Sequence, residues 1–123
     1  DPVDPEFVRE FQVSTLAQPV PPEFLRTVID ESLKLPARVW REVFVAIRDD
    51  DVAAESVRIS VPTRVLTGDK DGFAPPSEVK RQTKEIPGAR LVVYPGAGHG
   101  VHWEEPARFA SDLTVFAESL RKP

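Results

Sequence analysis

The sequence predicts an α/β fold in which a helical segment precedes a β-α-β-α unit with parallel strands. The second part is indicated by two short strand-like runs, at residues 63–67 (TRVLT) and 90–94 (RLVVY), with a stretch of helix length between them. The first part is indicated by apolar residues that recur at helical spacing between prolines before residue 60. We therefore predict two segments, a helical one at residues 1–59 and a mixed one at residues 60–123.

The helical segment is predicted to contain three short amphipathic helices. Asp4 can cap the first of them, and the second and third are predicted to begin at Pro22 and Pro36. The linker at residues 18–22 (QPVPP) is too rich in proline for a helix or a central strand. Three short helices separated by stiff, proline-containing linkers indicate a lid or a small helical bundle.

The mixed segment is predicted to alternate strand, helix, strand and helix. Ser77 is expected to cap a helix that runs to about Glu85, and Pro106 is expected to open a last helix that lies on a sheet face. Two parallel strands do not make a stable sheet by themselves, because parallel sheets need several strands and cover on both faces. We therefore expect another polypeptide to complete the sheet, either a missing N-terminal half or a second copy of this chain.

Ionisable residues follow both predicted strands. Asp69 and Asp71 follow the first strand, and His99 follows the second within a Gly-rich loop. Parallel α/β folds collect reacting groups at strand exits, and a buried carboxylate beside an imidazole fixes the tautomer that proton transfer needs. We predict Asp71 and His99 as a catalytic pair and Asp69 as a turn-forming residue. The alternatives are an aspartate that only bonds turn amides and a surface histidine in a flexible loop.

Several separately placed motifs in the second half share one pattern. They are residues 60–63 (SVPT), Gly68-x-x-Asp71 with Pro75 behind it, Gly98-His99, and Glu104-x-Pro106 before a helix that contains Phe109. This pattern resembles the C-terminal part of the α/β-hydrolase fold, in the capped branch that includes epoxide hydrolases, haloalkane dehalogenases and esterase-like enzymes. The first half of the chain resembles the cap helices of that branch only loosely.

The resemblance implies a nucleophile-acid-histidine triad that hydrolyses ester, epoxide or carbon–halogen bonds. It places the nucleophile upstream of Asp71 and His99, on an elbow of the G-x-S-x-G type. The sequence contains no such elbow, and residues 96–100 (GAGHG) carry glycine where the nucleophile would stand. We therefore expect a fragment of a hydrolase that is inactive alone. The alternative is a non-catalytic binding or dimerisation module derived from the same fold.

Five apolar residues are candidates for lining a substrate pocket, although core packing is an equal alternative for each. They are Phe73, Val101, Trp103, Trp40 and Phe44. Two further polar residues lie close to His99. His102 is interpreted as local structure or pocket lining, and Glu104 is expected to cap or anchor the last helix beside Pro106 rather than to react. The substrate that these assignments imply is a small apolar ester-like molecule.

Composition excludes several other classes of protein. The chain has 123 residues, a formal charge of −4 and no cysteine, which argues against nucleic acid or an anionic membrane as partner and removes disulfides and thiolate metal sites. No apolar run is long enough for a membrane span, and the N-terminus lacks the features of a signal peptide, so a cytoplasmic location is the default expectation. The spacing Gly96-x-Gly98-x-Gly100 fails the dinucleotide fingerprint, and neither a cofactor nor a metal is expected.

Overall fold

The computed structural model describes residues 1–49 and 52–121, and these form two compact units. One unit consists of Asp1–Ser14 with Val20–Val52, and the other of Thr15–Pro19 with Ala53–Pro123. The sequence predicts a single boundary after residue 59. The structure instead changes unit after Val52, and it assigns the short segment Thr15–Pro19 to the second unit.

The first unit is built from helices α1 (Pro5–Ser14), α2 (Pro22–Ser32) and α3 (Ala37–Asp49). Asp4 caps α1 as expected, because its Oδ1 accepts a hydrogen bond from the Glu6 amide at 3.0 Å. The helices begin within one residue of the predicted prolines, where the fixed φ of proline suits the first turn.

An aromatic cluster joins α1 and α3 inside this unit. The Trp40 ring contacts those of Phe7 and Phe11 edge to face at 5.6 and 5.3 Å between centroids, and Phe44 contacts Phe11 at 5.6 Å. Such edge-to-face pairs stabilise a core beyond the burial of their area. Trp40 and Phe44, two of the pocket candidates, thus pack against aromatic residues of their own unit.

The second unit contains the sheet. Its elements are α4 (Val52–Ser56), which begins at the last residue of the first unit, β1 (Arg64–Gly68), α5 (Pro76–Glu85), β2 (Arg90–Tyr94), α6 (Val101–Glu104) and α7 (Pro106–Ser119). Strands β1 and β2 pair in parallel, with Arg64 opposite Arg90 and Gly68 opposite Tyr94. Helix α5 begins at Pro76 without a side-chain cap, so the predicted capping by Ser77 is wrong, and the short helix α6 was not predicted.

The core of the second unit lies where β2 ends. Tyr94, Ala97 and Val101 are buried together, and Leu66 of β1 and Phe109 of α7 pack against them. The last helix therefore contacts the sheet, as its apolar stripe predicted. None of the helices in residues 1–49 and 52–121 is both long enough and apolar enough to cross a membrane.

Candidate active site

The two strand-exit loops lie side by side because β1 and β2 are parallel and in register. The amide of Asp69 donates to the carbonyl of Tyr94 at 3.1 Å, and the amide of Lys70 donates to the carbonyl of Ala97 at 2.9 Å. Oδ1 of Asp69 accepts a hydrogen bond from the Gly96 amide at 2.6 Å. Asp69 therefore ties one loop to the other, a role beyond the local turn that the sequence suggested.

Gly68 allows this close approach of the two loops. A Cβ atom at this position would lie 2.1 Å from the carbonyl oxygen of Ala97 and 2.2 Å from that of Gly98. Both contacts are far inside van der Waals distance and both involve backbone atoms, which cannot swing aside. A glycine is required here for packing, since its φ is not in the left-handed region.

Asp71 and His99 meet between these loops. Nδ1 of His99 lies 2.9 Å from Oδ2 of Asp71, while Oδ1 of Asp71 accepts the amides of Phe73 and Ala74 at 2.8 and 3.0 Å. The Asp71 side chain is 5% exposed and that of His99 is 51% exposed. A buried, fully bonded carboxylate thus holds one nitrogen of a ring whose other side is open to solvent.

The electrostatics keep Asp71 ionised. Burial by itself raises the pKa of Asp71, but the hydrogen bonds from the Ala74 amide, the His99 ring and the Phe73 amide outweigh it, so the pKa of the carboxyl is lowered below its ordinary value. An ionised Asp71 favours the His99 tautomer with a proton on Nδ1, which leaves Nε2 as the acceptor. Within the described part of the chain, His99 makes no other side-chain hydrogen bond.

The loop at residues 95–100, which we call the histidine loop, is also held by a segment that the sequence did not indicate. The carbonyl of Thr15 accepts the amides of His99 and Gly100 at 2.8 and 3.2 Å. These contacts join residues more than eighty positions apart, whereas the proline-rich sequence of the neighbouring residues 18–22 predicts only a stiff linker. Hydrophobic periodicity carries no signal for such a contact, because it is made by backbone atoms of an irregular segment.

Glu104 completes this attachment. Its Oε1 accepts the Gly98 amide at 2.9 Å, and its Oε2 accepts the amides of Gln18 and Ala17 at 2.7 and 3.2 Å. The expectation that Glu104 caps the last helix is wrong, because α7 has no side-chain cap; the carboxylate instead anchors the chain just before α7 to Gly98 and to residues 17–18. The position of Glu104 next to Glu105 and Pro106 pointed to a structural role but not to these partners.

The pocket candidates of this unit differ in their surroundings. Phe73 lies beside the catalytic candidate, with its ring centroid 5.5 Å from that of His99, and it is 47% exposed. Val101 is buried in the core cluster, which favours the packing alternative for it. Trp103 packs against His102 at 4.9 Å between ring centroids and lies beneath Gly100.

His102 stands apart from the pair. Its ring packs against Trp103 and Phe109, and this partial burial, with the nearby charge of His99, lowers the pKa of His102. It makes no hydrogen bond with Asp71 in the described residues. Of the two histidines of the chain, His99 is therefore the one that is paired with Asp71.

Adjacent parallel strands with an acid at one exit and a histidine at the next match the pattern by which the sequence resembles the alpha/beta hydrolase fold. Residues 2–112 match the model of the alpha/beta hydrolase family, and the chain belongs to that family. It is 36% identical over 75 residues to the AB hydrolase superfamily protein YisY of Bacillus subtilis, a match that covers 61% of this chain and 28% of that protein.

Solved structures share the fold. The esterase EaEST from Exiguobacterium antarcticum superposes with a TM-score of 0.86 at 24% identity, over 93% of this chain and 42% of the esterase. The enol-lactonase from Burkholderia xenovorans superposes with a TM-score of 0.73 at 26% identity, over 79% of this chain and 37% of the lactonase. The chain thus spans less than half the length of each of these relatives.

Proposed function

We propose that this chain is the acid and histidine half of a hydrolase that cleaves ester or related bonds, with its first unit acting as the cap. The observation that carries the proposal is the 2.9 Å contact between Nδ1 of His99 and Oδ2 of Asp71 at two adjacent strand exits. Membership of the alpha/beta hydrolase family supports a hydrolytic reaction, and the likeness to an enol-lactonase, which acts on a cyclic ester by its name, supports the ester class.

The chemistry of the pair is proton transfer. In a serine-type enzyme, Nε2 of His99 takes the proton of the serine hydroxyl as its oxygen bonds to the ester carbonyl carbon, and then gives that proton to the departing alkoxide. A water then gives a proton to Nε2 as its oxygen bonds to the acyl carbon, and Nε2 returns that proton to the serine oxygen as the acyl-enzyme bond breaks. Asp71 holds the ring in the required tautomer and stabilises the imidazolium that forms.

An aspartate nucleophile would use the same pair differently. Its carboxylate would displace a halide ion, or would open an epoxide whose oxygen takes a proton from water, to form an alkyl-enzyme ester. His99 would then take a proton from the water that hydrolyses this ester. The Asp71 and His99 geometry serves both reactions, so the nucleophile alone distinguishes them. Trapping separates them: a phosphonate ester labels a serine, whereas single turnover in ¹⁸O-labelled water places the label in an aspartate.

The substrate is proposed to be a small apolar molecule. Phe73 is an exposed aromatic ring in contact with the His99 ring, so a reacting group bound beside Nε2 would lie close to an apolar surface. Trp103 is proposed as further lining in the complete enzyme. Trp40 and Phe44 pack against aromatic residues of the first unit, which favours the packing alternative for both. Val101 contributes instead by packing beneath the histidine loop.

The nucleophile is proposed to lie on a different segment of polypeptide. We call the 123 residues joined to that segment the complete hydrolase. In the described residues β1 and β2 each have one strand neighbour, so a further strand can add to the sheet. We expect the 123-residue chain alone to hydrolyse esters at the background rate and to self-associate or to bind the missing half. A burst of product from the purified 123-residue chain would contradict this.

The test of the catalytic pair uses the two histidines of the chain, His99 in the loop after β2 and His102 in α6. In the complete hydrolase, His99→Ala is expected to lower the turnover of an aryl ester, an epoxide or a haloalkane by about 10⁴-fold or more, and Asp71→Asn by about 10⁴-fold. His102→Ala is the matched control and is expected to retain turnover, because His102 makes no hydrogen bond with Asp71. Wild-type rates in His99→Ala would refute the site and leave a non-catalytic dimerisation module as the function.

A further inference from the structure

We infer that Glu104 is a positioning residue for His99, an inference that rests on the proposed function. Its carboxylate accepts hydrogen bonds from the backbone amides of Gly98, Ala17 and Gln18 at 2.7–3.2 Å. Gly98 is the residue immediately before His99. Glu104 therefore joins the histidine loop to the segment between α1 and α2 through a single side chain.

The acceptor set explains why a carboxylate stands at this position. Three amide donors converge on two oxygens, and only an ionised carboxylate presents acceptors on both oxygens with no donor of its own. Hydrogen bonds to a charged acceptor are roughly twice as strong as neutral ones. Glutamine would direct its NH₂ group at one set of amides and would leave those amides facing another donor.

The backbone around His99 is held at three consecutive amides. Glu104 accepts from Gly98, while the carbonyl of Thr15 accepts from His99 and from Gly100. A Cβ on Gly98 would lie 2.7 Å from the amide nitrogen of Ala17 and 2.8 Å from the carbonyl oxygen of Thr15, so the two segments are in direct contact. With the backbone held on this side, the orientation of the His99 ring is set by its side-chain torsions, which the hydrogen bond to Asp71 restrains.

The consequence for catalysis is geometric. A proton shuttle works only when its nitrogen lies within hydrogen-bond distance of the reacting group, and a displacement of about 1 Å can lower the rate by about 10²-fold. Without the Glu104 carboxylate the Gly98 amide loses its acceptor, and we expect His99 to be displaced from its position beside Asp71. The position of Nε2 governs proton transfer, so the effect should fall on kcat more than on KM.

The test is Glu104→Gln in the complete hydrolase, with Glu105→Gln as its matched control. We expect Glu104→Gln to lower kcat by about 10- to 100-fold with KM changed by less than about twofold. Amide exchange at Gly98 and His99 should be faster in the same variant. The Glu105 carboxylate lies 3.4 Å from the Gln18 side chain and 4.0 Å from the Arg108 guanidinium, both weak contacts, and its variant should keep the wild-type kcat.

A second comparison separates positioning from stability. Asp112→Ala removes the hydrogen bond that the buried Tyr94 hydroxyl donates at 2.5 Å, so it should lower the free energy of unfolding without changing kcat. If Glu104→Gln does not fold, Glu104→Asp, whose shorter side chain cannot reach both segments, should show a kcat between those of the wild type and the catalytic variants.

The outcomes distinguish this inference from the proposed function. An unchanged kcat in Glu104→Gln, or in Glu104→Asp where that variant is needed, together with an inactive His99→Ala, would overturn the role of Glu104 and leave the catalytic pair intact. An unchanged kcat in both the Glu104 variant and His99→Ala would overturn the proposed function itself. A loss of kcat in Asp112→Ala equal to that in Glu104→Gln would also overturn the inference, because it would assign the effect to stability.

Discussion

A single methyl group at Gly68 should disable the site without removing any of its functional side chains. Gly68 is the last residue of β1, three positions before Asp71. In Gly68→Ala, the new Cβ would lie 2.1 Å from the carbonyl oxygen of Ala97, where ordinary carbon–oxygen contacts begin near 3.4 Å. The backbone at Ala97 and Gly98 would have to move by more than about 1 Å, and His99 follows directly after it.

The size of the effect follows from this displacement. The Asp71–His99 contact is 2.9 Å, so a shift of about 1 Å carries it beyond hydrogen-bond distance. We expect turnover of the complete hydrolase to fall by about 10²-fold or more, and the free energy of unfolding to fall by about 1–3 kcal/mol through overpacking. Ester turnover measures the first effect and urea unfolding measures the second.

Gly72→Ala is the matched control for this prediction. Gly72 lies in the loop that follows β1 and does not adopt a positive φ. No heavy atom lies within 4 Å of the position that a methyl group would take there. Its variant should therefore keep both turnover and stability near the wild-type values. Equal behaviour of the two alanine variants would refute the claim that close packing of the loops at Gly68 sets the geometry of the pair.

Two further predictions concern pH. Tyr94 is the single tyrosine, and burial together with its hydrogen bond to Asp112 raises the pKa of its hydroxyl to about 12. Phenolate absorbance should therefore titrate near pH 12 in the folded chain and near pH 10 in denaturant. A midpoint near pH 10 in the folded chain would contradict the buried hydrogen bond between Tyr94 and Asp112. Because the pKa of Asp71 is lowered by folding, its contribution to stability is present above the unfolded pKa of about 3.9 and is lost as the pH falls through the lower folded value. Asp71→Asn should therefore lose less unfolding free energy than the wild type between pH 5 and pH 2, and parallel curves would refute this.

The elements that the sequence predicted well are those set by local pattern. Strand β2 has the predicted bounds, β1 is displaced by one residue, and α1, α2, α3 and α7 begin at or next to proline, which prefers the first turn of a helix. Asp71 and His99 were chosen from their positions after the two strands. Parallel pairing brings strand exits together wherever the strands are in register, so the proximity of these two residues could be anticipated from the sequence.

The features that the sequence did not predict depend on contacts between distant residues. Thr15 and Glu104 bind the histidine loop through backbone amides, and Asp69 binds the Gly96 amide in the other loop. Amide donors are present at every residue except proline, so the side-chain pattern does not mark which of them will be used. Val101 was similarly ambiguous, because an apolar residue after a catalytic candidate fits both a pocket wall and a core.

The contacts that were missed explain how the pair keeps its geometry. The amides of Lys70 and Gly96 join the loop at residues 69–75, which carries Asp71, to the histidine loop. Thr15 and Glu104 join the histidine loop to Thr15–Pro19. All of these contacts lie within the second unit, and none of them involves a nucleophile. The Asp71–His99 geometry is therefore a property of this unit, whereas the proposed hydrolysis requires a third group placed within reach of Nε2. For this reason the decisive measurement is the effect of the His99 and Glu104 substitutions once that group is present.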